Sequence, residues 1–346
     1  MDYPVESPPF ATPTLSGVGG SLKASLEDFR VDEVPAYSPS GTGTHLFVHF
    51  EKRDLDTKRA VEAIARGLEC DPRSVGWAGL KDRRGITTQW ASIEGGDPDK
   101  ALELRLDGIR MLDAKLHEQK LRTGHLKGNR FQIRLRGVHG DADGAREILS
   151  ALAETGCPNY FGPQRFGWNG NNLTRARRWI VDGGRAPRKR FEKKLLVSTF
   201  QAALFNEVTG RRLEDGLLAE AVAGDLMKKE DSGGLFIAED LETEGPRVKA
   251  WEISPTGPMF GAKMRWPEAE AQIREARVLE GSGLERADLA SFRKAGEGTR
   301  RALRFRPTDL EVAAEGENLL LAFTLRKGSY ATVITREIMK SGESAA

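Results

Sequence analysis

The sequence predicts an α+β protein of two domains. Its 346 residues correspond to two domains at about 150 residues each. Stretches that alternate apolar and polar residues, typical of strands, are mixed with stretches of helical periodicity. After Pro158 the composition changes, and Gly-rich turns and basic runs join the helical stretches. No repeat of fixed length is present, which disfavours a solenoid or a propeller.

The elements can be predicted in chain order from periodicity and end signals. Residues 1–20 are rich in Pro, Ser and Gly and are expected to form a loose arm. Asp56 is a typical helix cap, and the helix that it starts should end before Pro72. Alternation predicts strands within 21–34, 45–50, 74–78, 86–93, 131–136 and 319–325. Helical spacing predicts helices over 142–155, 197–214 and 266–280 and a last helix opened by Gly328 and Ser329.

The composition excludes several classes of protein. With 39% hydrophobic and 30% charged residues, the chain is typical of a soluble globular protein. No window approaches the 18 apolar residues of a membrane span, and the N-terminus lacks the pattern of a secretory signal. Cys70 and Cys157 cannot form a disulfide framework, which favours a cytoplasmic protein. The net charge is 53 − 51 = +2, so a histone-like protein is excluded, whereas a local basic face is not.

Motifs for metals and nucleotides are absent. There is no GxxxxGK[ST], no CxxC pair and no GxSxG, and the HE pair at His117 lacks its second histidine because position 121 is Leu. The sequence therefore predicts neither a metal nor a cofactor.

The segment 79–90 is the most specific motif. Asp82 stands there among Lys81, Arg83 and Arg84, in a turn between two predicted strands. Nearby positive charge favours an ionised carboxylate, which could act as a nucleophile or a base. A solvated charged turn is the alternative interpretation.

A second motif, residues 158–167, places three aromatic residues and Arg165 in one loop. Such a loop could stack on bases and present a guanidinium to phosphate. Close packing at a domain junction would explain the same composition.

A third motif joins an amide and a ring. Asn129 and Phe131 are two residues apart and share one face of a predicted strand, so both could line a pocket for a planar polar base. The alternative is that Phe131 belongs to the core.

Six segments in order resemble the TruD family of tRNA pseudouridine synthases. Together they extend across nearly the whole chain: LKASLEDFRVDE (22–33), AGLKDRRGITTQW (78–90), LKGNRFQIRLR (126–136), PNYFGPQRFG (158–167), ISPTGPMFGAKM (253–264) and LRKGSYATVITREI (325–338).

The resemblance implies roles for particular residues. Asp82 matches the catalytic aspartate, and Phe29 and Asn129 match positions that contact the target nucleotide. Tyr330 matches an aromatic residue beside the base, where some members carry Phe. Leu22 and Lys23 match a segment near the active site. Lys23 is the first candidate for an ion pair that orients Asp82, and Lys81 is the second.

The resemblance also implies a fold, a reaction and a substrate. The expected catalytic domain, 1–160 with 301–346, has a mixed, mainly antiparallel sheet, and an α+β TRUD domain, 161–300, is inserted into it. The expected reaction converts a uridine of tRNA, typically at position 13 in bacterial members, to pseudouridine on a flipped-out nucleotide. No cofactor, metal or membrane is implied, and the chain is expected to act as a monomer.

Two basic groups are candidates for phosphate contacts, in addition to Arg165. The first includes Arg188, Lys189 and Arg190, and the second includes Arg300, Arg301, Arg304 and Arg306. Solvated helix faces paired with acidic residues are the alternative interpretation.

Other functions remain open at the level of sequence. One is a related synthase that acts on another RNA. Another is a non-catalytic protein that binds or folds RNA, against which the intact Lys81 and Asp82 argue. A hydrolase is disfavoured, since no second catalytic carboxylate or histidine has a diagnostic spacing.

Overall fold

The computed structural model describes residues 8–340, in which strands and helices alternate. The strands are β1 (Gly19–Ser21), β2 (Phe29–Pro35), β3 (His45–Arg53), β4 (Gly76–Trp77), β5 (Ile86–Glu94), β6 (Ile109–His117), β7 (Leu126–Val138), β8 (Cys157–Pro158), β9 (Leu226–Lys229), β10 (Leu235–Ile237), β11 (Ile253–Met259), β12 (Thr299–Ala302), β13 (Arg304–Phe305), β14 (Thr308–Glu315) and β15 (Asn318–Arg326). The α-helices are α1 (Thr57–Gly67), α2 (Pro98–Glu103), α3 (Ala142–Thr155), α4 (Asn171–Ile180), α5 (Arg190–Glu214), α6 (Leu241–Lys249), α7 (Ala269–Gly281) and α8 (Ala331–Met339).

The described residues divide into two compact units. One unit contains residues 16–149, 307–331 and 338–340, and the other contains residues 8–15, 150–306 and 332–337. We call them the large-sheet unit and the helical unit. The domain boundaries predicted from the resemblance, 1–160 with 301–346 and 161–300, stay a prediction.

The large-sheet unit is built on a nine-stranded sheet. Its main path runs β14-β15-β7-β2-β5-β3-β6, with β1 added beside β7 and β4 beside β5. Among the described strands of this sheet, β2 and β5 are the parallel neighbours and the other pairs are antiparallel. The predicted mixed, mainly antiparallel sheet is therefore confirmed.

One face of this sheet is covered by α1. Val61 and Ile64 of the helix are fully buried and belong to the same apolar cluster as Val48 and Phe50 of β3. Asp56 occupies the N-cap, as predicted. Strand β3 pairs with β5, so that Arg53 at the end of β3 lies opposite Ile86 at the start of β5. The helix α1 begins shortly after this end of β3, at Thr57.

The helical unit has its own core around α5. This helix is buried along most of its length and packs with residues of α7 and the 160s. The described sheet beside it has the order β10-β9-β11-β12. The strand β11, ISPTGPM, contains two prolines and was not predicted. It pairs with β9 along its first half and with β12 along its second, so no single ladder depends on all its residues.

Most predicted elements are present, some with longer bounds and some, such as the strand predicted at 74–78, with shorter ones. The strand predicted at 45–50 extends to Arg53, and the helix predicted over 197–214 begins at Arg190. The helix over 142–155 has the predicted bounds. Of the loose arm, residues 8–18 lack regular structure, and residues 1–7 lie outside the described part.

Membrane-spanning helices and metal-binding clusters are both absent from residues 8–340. None of the helices there combines the length and hydropathy needed to cross a bilayer. In the same residues, no group of three or more His, Cys, Asp and Glu side chains is placed to hold a metal ion.

Candidate active site

Asp82 lies on an irregular segment between β4 and β5, residues 78–85, which we call the aspartate loop. The side chain of Asp82 is 48% exposed, and its Oδ2 accepts a hydrogen bond from Lys23 Nζ at 2.8 Å. At the end of the loop, Gly85 has a φ of +150°, and a Cβ there would lie 2.7 Å from the carbonyl oxygen of Phe29. Glycine is therefore required for the loop to pass against the start of β2.

Lys23 connects the carboxylate to an aromatic ring. Its Nζ lies 4.0 Å from the centroid of the Phe29 ring as well as 2.8 Å from Asp82 Oδ2. The ring and the carboxylate thus hold one ammonium from two sides. Leu22, the preceding residue, is half-buried. The ion pair predicted between Lys23 and Asp82 is present.

Strand β7 brings the third motif beside β2. Phe131 lies opposite Val31 and Asn129 opposite Glu33 in the antiparallel ladder. The rings of Phe29 and Phe131 are 6.2 Å apart, edge to face. Asn129 Oδ1 is buried and, among residues 8–340, has no hydrogen-bond partner. A buried acceptor left open in this way can receive a donor from a ligand.

Tyr330 lies in the turn between β15 and α8 and is 40% exposed. Leu325 of β15 is the ladder partner of Asn129, and Lys327 N donates to Lys127 O at 3.1 Å. This pairing brings the turn that carries Tyr330 next to β7, the strand that carries Asn129.

Lys81, the neighbour of Asp82 in the chain, pairs with a different carboxylate. Its Nζ binds Glu33 Oε2 at 2.5 Å, and both side chains are almost completely buried. Its main-chain N–H donates to Thr57 Oγ1 at 3.0 Å. Arg83 likewise turns away, toward Asp54 at 3.4 Å. Of the cations near Asp82 in the chain, Lys81 and Arg83 thus pair with other carboxylates, and Lys23, the first candidate, is the partner of Asp82. The catalytic role implied for Lys81 stays a prediction.

Sequence reasoning missed Lys52. Its Nζ donates to the main-chain oxygen of Asp82 at 2.6 Å, and the side chain is fully buried. Burial lowers the pKa of Lys52 to about 8. A signal was available in the sequence, because Lys52 falls at the apolar register of β3, which Val48 and Phe50 also occupy.

The first set of predicted RNA contacts lies in the helical unit. Arg165 is half-buried, with its guanidinium 5.5 Å from the centroid of the Phe161 ring. Arg188, Lys189 and Arg190 are exposed where α5 begins.

The second basic group is largely structural, which corrects the expectation of phosphate contacts there. Arg300 binds Glu275 at 2.6 Å, and both side chains are buried. Arg304 is 2% exposed, lies over the Trp251 ring at 3.8 Å and donates to the carbonyl oxygen of Thr155 at 2.7 Å. Arg301 binds Asn159. Each guanidinium satisfies buried acceptors of the helical unit.

Comparison with known proteins shows one consistent likeness. The family model described as tRNA pseudouridine synthase D (TruD) matches residues 9–184 and 189–338. A protein of that name from Anaeromyxobacter sp. (strain Fw109-5) is 47% identical over 339 residues, which is 96% of each chain. A namesake from Thermus thermophilus is 42% identical and aligns over 96% of this chain and 92% of its own.

The fold also matches a solved structure. A crystal structure described as tRNA pseudouridine synthase D (TruD) from Methanosarcina mazei superposes with a TM-score of 0.80 and covers 99% of both chains at 23% identity. This likeness concerns the fold alone and confirms the predicted α+β class. The relatives confirm the resemblance inferred from the six segments.

Proposed function

Since the chain belongs to the TruD family of tRNA pseudouridine synthases, we propose that Asp82 carries the covalent chemistry of its reaction. The protein isomerises a uridine of tRNA to pseudouridine: the C1′–N1 glycosidic bond breaks, the uracil turns, and C5 joins C1′. C5 then loses its proton and N1 gains one, so the product is an isomer of the substrate. The observation that carries the assignment is the carboxylate of Asp82, half-exposed and held by Lys23 at 2.8 Å. An accessible but oriented carboxylate is what attack on a sugar carbon requires.

The carboxylate can open the glycosidic bond in two ways. It can attack C1′ and displace the uracil to give an ester, or it can take the proton from C2′ to give a glycal. Oδ2 receives the bond from Lys23, so we assign Oδ1 to the sugar. In either route Lys23 keeps the carboxylate oriented while its charge changes.

The target base must leave its stack before either route can begin. Asn129 Oδ1, buried and open, is suited to accept the N3–H of the uracil. Phe29 and Phe131 form an apolar wall beside it, and Tyr330 offers an exposed ring at the turn next to β7. Together these groups would bind a flat base with one donor edge.

The test is an assay with uridine-labelled tRNA transcripts and mapping of the product. We expect Asp82→Asn to lose pseudouridine formation by at least about 10³-fold, while tRNA binding falls by less than about tenfold, or 1.4 kcal/mol. Asp71→Asn is a matched control, because the Asp71 side chain is 52% exposed, pairs with Arg73, and occupies an N-cap position where asparagine is as favourable as aspartate. Product formation by Asp82→Asn near the wild-type rate would contradict the assignment.

For the position of the target we propose residue 13 of tRNA, the site that bacterial members of the resembled family modify. The same assay reads this out at nucleotide resolution. A transcript with cytidine at position 13 should give no product, and modification at another position would contradict the proposal.

Contact with the tRNA backbone is proposed for Arg165, Arg188, Lys189 and Arg190. The last three are exposed cations in sequence at the start of α5, and phosphate contacts dominate RNA affinity.

We also propose that the protein acts as a cytoplasmic monomer. The groups assigned to the reaction all belong to the large-sheet unit, so the site needs no residue from a second copy. Both cysteines are unpaired, as is usual in a reducing compartment. Light scattering at assay concentrations should give the monomer mass, and a dimer mass would contradict this.

A further inference from the structure

Lys52 occupies a position in β3 that the strand otherwise reserves for apolar side chains. Val48 and Phe50 alternate with it on the face covered by α1, and all three are fully buried. Burial of an ammonium ion costs free energy unless the ion is paired and hydrogen-bonded. Lys52 lies in contact with the aspartate loop.

The ammonium of Lys52 binds the main chain of Asp82, the proposed catalytic residue. Its Nζ donates to Asp82 O at 2.6 Å, whereas Lys23 Nζ binds Asp82 Oδ2 at 2.8 Å. Two lysines thus hold Asp82 from two ends, one at the main chain and one at the carboxylate. Charge-assisted bonds of this kind are shorter and stronger than neutral ones.

The charged groups that act on Lys52 lie on two neighbouring segments. Asp82 and Lys81 belong to the aspartate loop, and Asp54 and Asp56 to the connection between β3 and α1. Among residues 8–340, no carboxylate oxygen lies within 4.0 Å of the Lys52 ammonium, so it has no direct ion pair to offset its burial. Burial lowers its pKa to about 8, although the carboxylates of Asp82, Asp56 and Asp54 raise it in part.

We propose that Lys52 is a positioning residue for the reaction: its buried ammonium fixes the main chain of Asp82, so that the carboxylate is presented to the sugar in one orientation. This inference rests on the proposed role of Asp82. Loss of the charge should weaken the bond to the carbonyl and let the loop shift, and a shift of about 1 Å can cost about 10²-fold in rate. The effect belongs to turnover, since Lys52 is buried and cannot touch the tRNA.

The wild-type protein supplies the first test. At saturating tRNA, we expect kcat to fall as pH rises through about 8, because the ammonium then loses its proton. The charged form is present below that pKa and is lost above it, so the rate should be nearly constant below pH 7 and should decrease from there toward pH 9.5. A constant kcat up to pH 9.5 would overturn the proposal.

The second test uses Lys52→Met. At pH 7 its kcat should be lower by about tenfold to 10²-fold with little change in KM, and it should lack the decrease above pH 8. Ionisation of the RNA affects variant and wild type equally, so their difference isolates the lysine. Lys58→Met is the matched control, because the Lys58 side chain is 72% exposed, and it should keep both the rate and the alkaline decrease.

Thermal unfolding separates positioning from a merely structural role. Removal of an unpaired buried charge should leave the Tm of Lys52→Met unchanged or higher. If the rate of Lys52→Met falls only to the extent that its folded fraction falls, the proposal is overturned. Lys52→Gln, which keeps a neutral donor, should retain more activity than Lys52→Met; equal rates would count against the bond to Asp82 O.

The outcome distinguishes this proposal from the role assigned to Asp82. An inactive Asp82→Asn together with a fully active Lys52→Met overturns the role of Lys52 alone. Activity in Asp82→Asn overturns the proposed function itself.

Discussion

The aspartate loop and the segment 299–306 are both rich in cations, but the structure uses these cations differently. At the loop, Asp82 is 48% exposed and pairs with Lys23, which is 23% exposed, whereas the loop's own Lys81 is buried against Glu33. In the segment, Arg300 and Arg304 are almost completely buried and bind acceptors of the helical unit. A run of charges in the sequence therefore does not by itself identify an RNA surface, because burial and pairing in the fold decide which cations face solvent.

The largest expected effects are on stability, and the first concerns Arg300. Arg300→Met leaves Glu275 buried without its partner, and burial already raises the pKa of Glu275. We expect the free energy of unfolding to fall by about 3–5 kcal/mol, measured by urea denaturation. Since an acid whose pKa is raised by folding stabilises less as pH rises above its unfolded value, the loss should be smaller at pH 5 than at pH 8.

A double variant sharpens this prediction. Replacing both partners, in Glu275→Met with Arg300→Met, should recover much of the lost stability, since no unpaired charge remains buried. The folded fraction of Arg300→Met should bind tRNA with wild-type affinity. Weaker binding by the folded fraction would return Arg300 to the RNA surface.

The next effect concerns Lys23, the exposed side of the comparison. Lys23→Met should lower kcat by about 10²-fold, because the carboxylate of Asp82 loses the bond that orients it. An ion pair exposed to this degree contributes about 0–1 kcal/mol to stability, so the Tm should barely change. The measurement is turnover with labelled tRNA across a pH series. An unchanged turnover and pH–rate profile in Lys23→Met would show that Lys23 is an ordinary surface residue.

Lys81→Met, in the aspartate loop itself, provides the contrast to Lys23→Met. Its partner Glu33 is buried, so this variant should lose about 3–5 kcal/mol of stability.

Much of the large-sheet unit could be predicted from the sequence. The alternation in β2, β3, β5 and β7 is regular, and the cap at Asp56 fixes the start of α1. Strands β1, β6 and β14 were not predicted, and β1 begins within the segment expected to be a loose arm. Most positions of β14 are half-buried or exposed, so it lacks a clear apolar face. A strand of that kind gives little periodic signal.

The sequence identified most residues of the site, but it did not show which side chains pair with each other. The resemblance brought Asp82, Lys23 and Phe29 forward, and they lie in contact. What the sequence could not provide was the partner of each cation, because Lys81 is adjacent to Asp82 in the chain but binds Glu33 on the neighbouring strand β2. Pairing across a sheet depends on register between distant segments, which single-sequence periodicity does not contain.

The smallest expected effect concerns Arg188, Lys189 and Arg190, which are exposed where α5 begins. If each contacts a phosphate, replacing all three by Gln removes three contacts, and each contributes about 0.7–0.9 to the slope of log affinity against log salt. The slope should therefore become shallower by about 2–3, and affinity at moderate salt should fall about tenfold for tRNAs of any sequence. The Tm and kcat at saturating tRNA should remain at the wild-type values, because these side chains are exposed and distant in sequence from Asp82. Glu192→Gln is a useful control, since it frees Arg175 from its ion pair and should leave affinity equal or slightly higher. An unchanged salt slope in the triple variant would place the RNA path elsewhere and would remove the one exposed basic run to which we assign RNA contact.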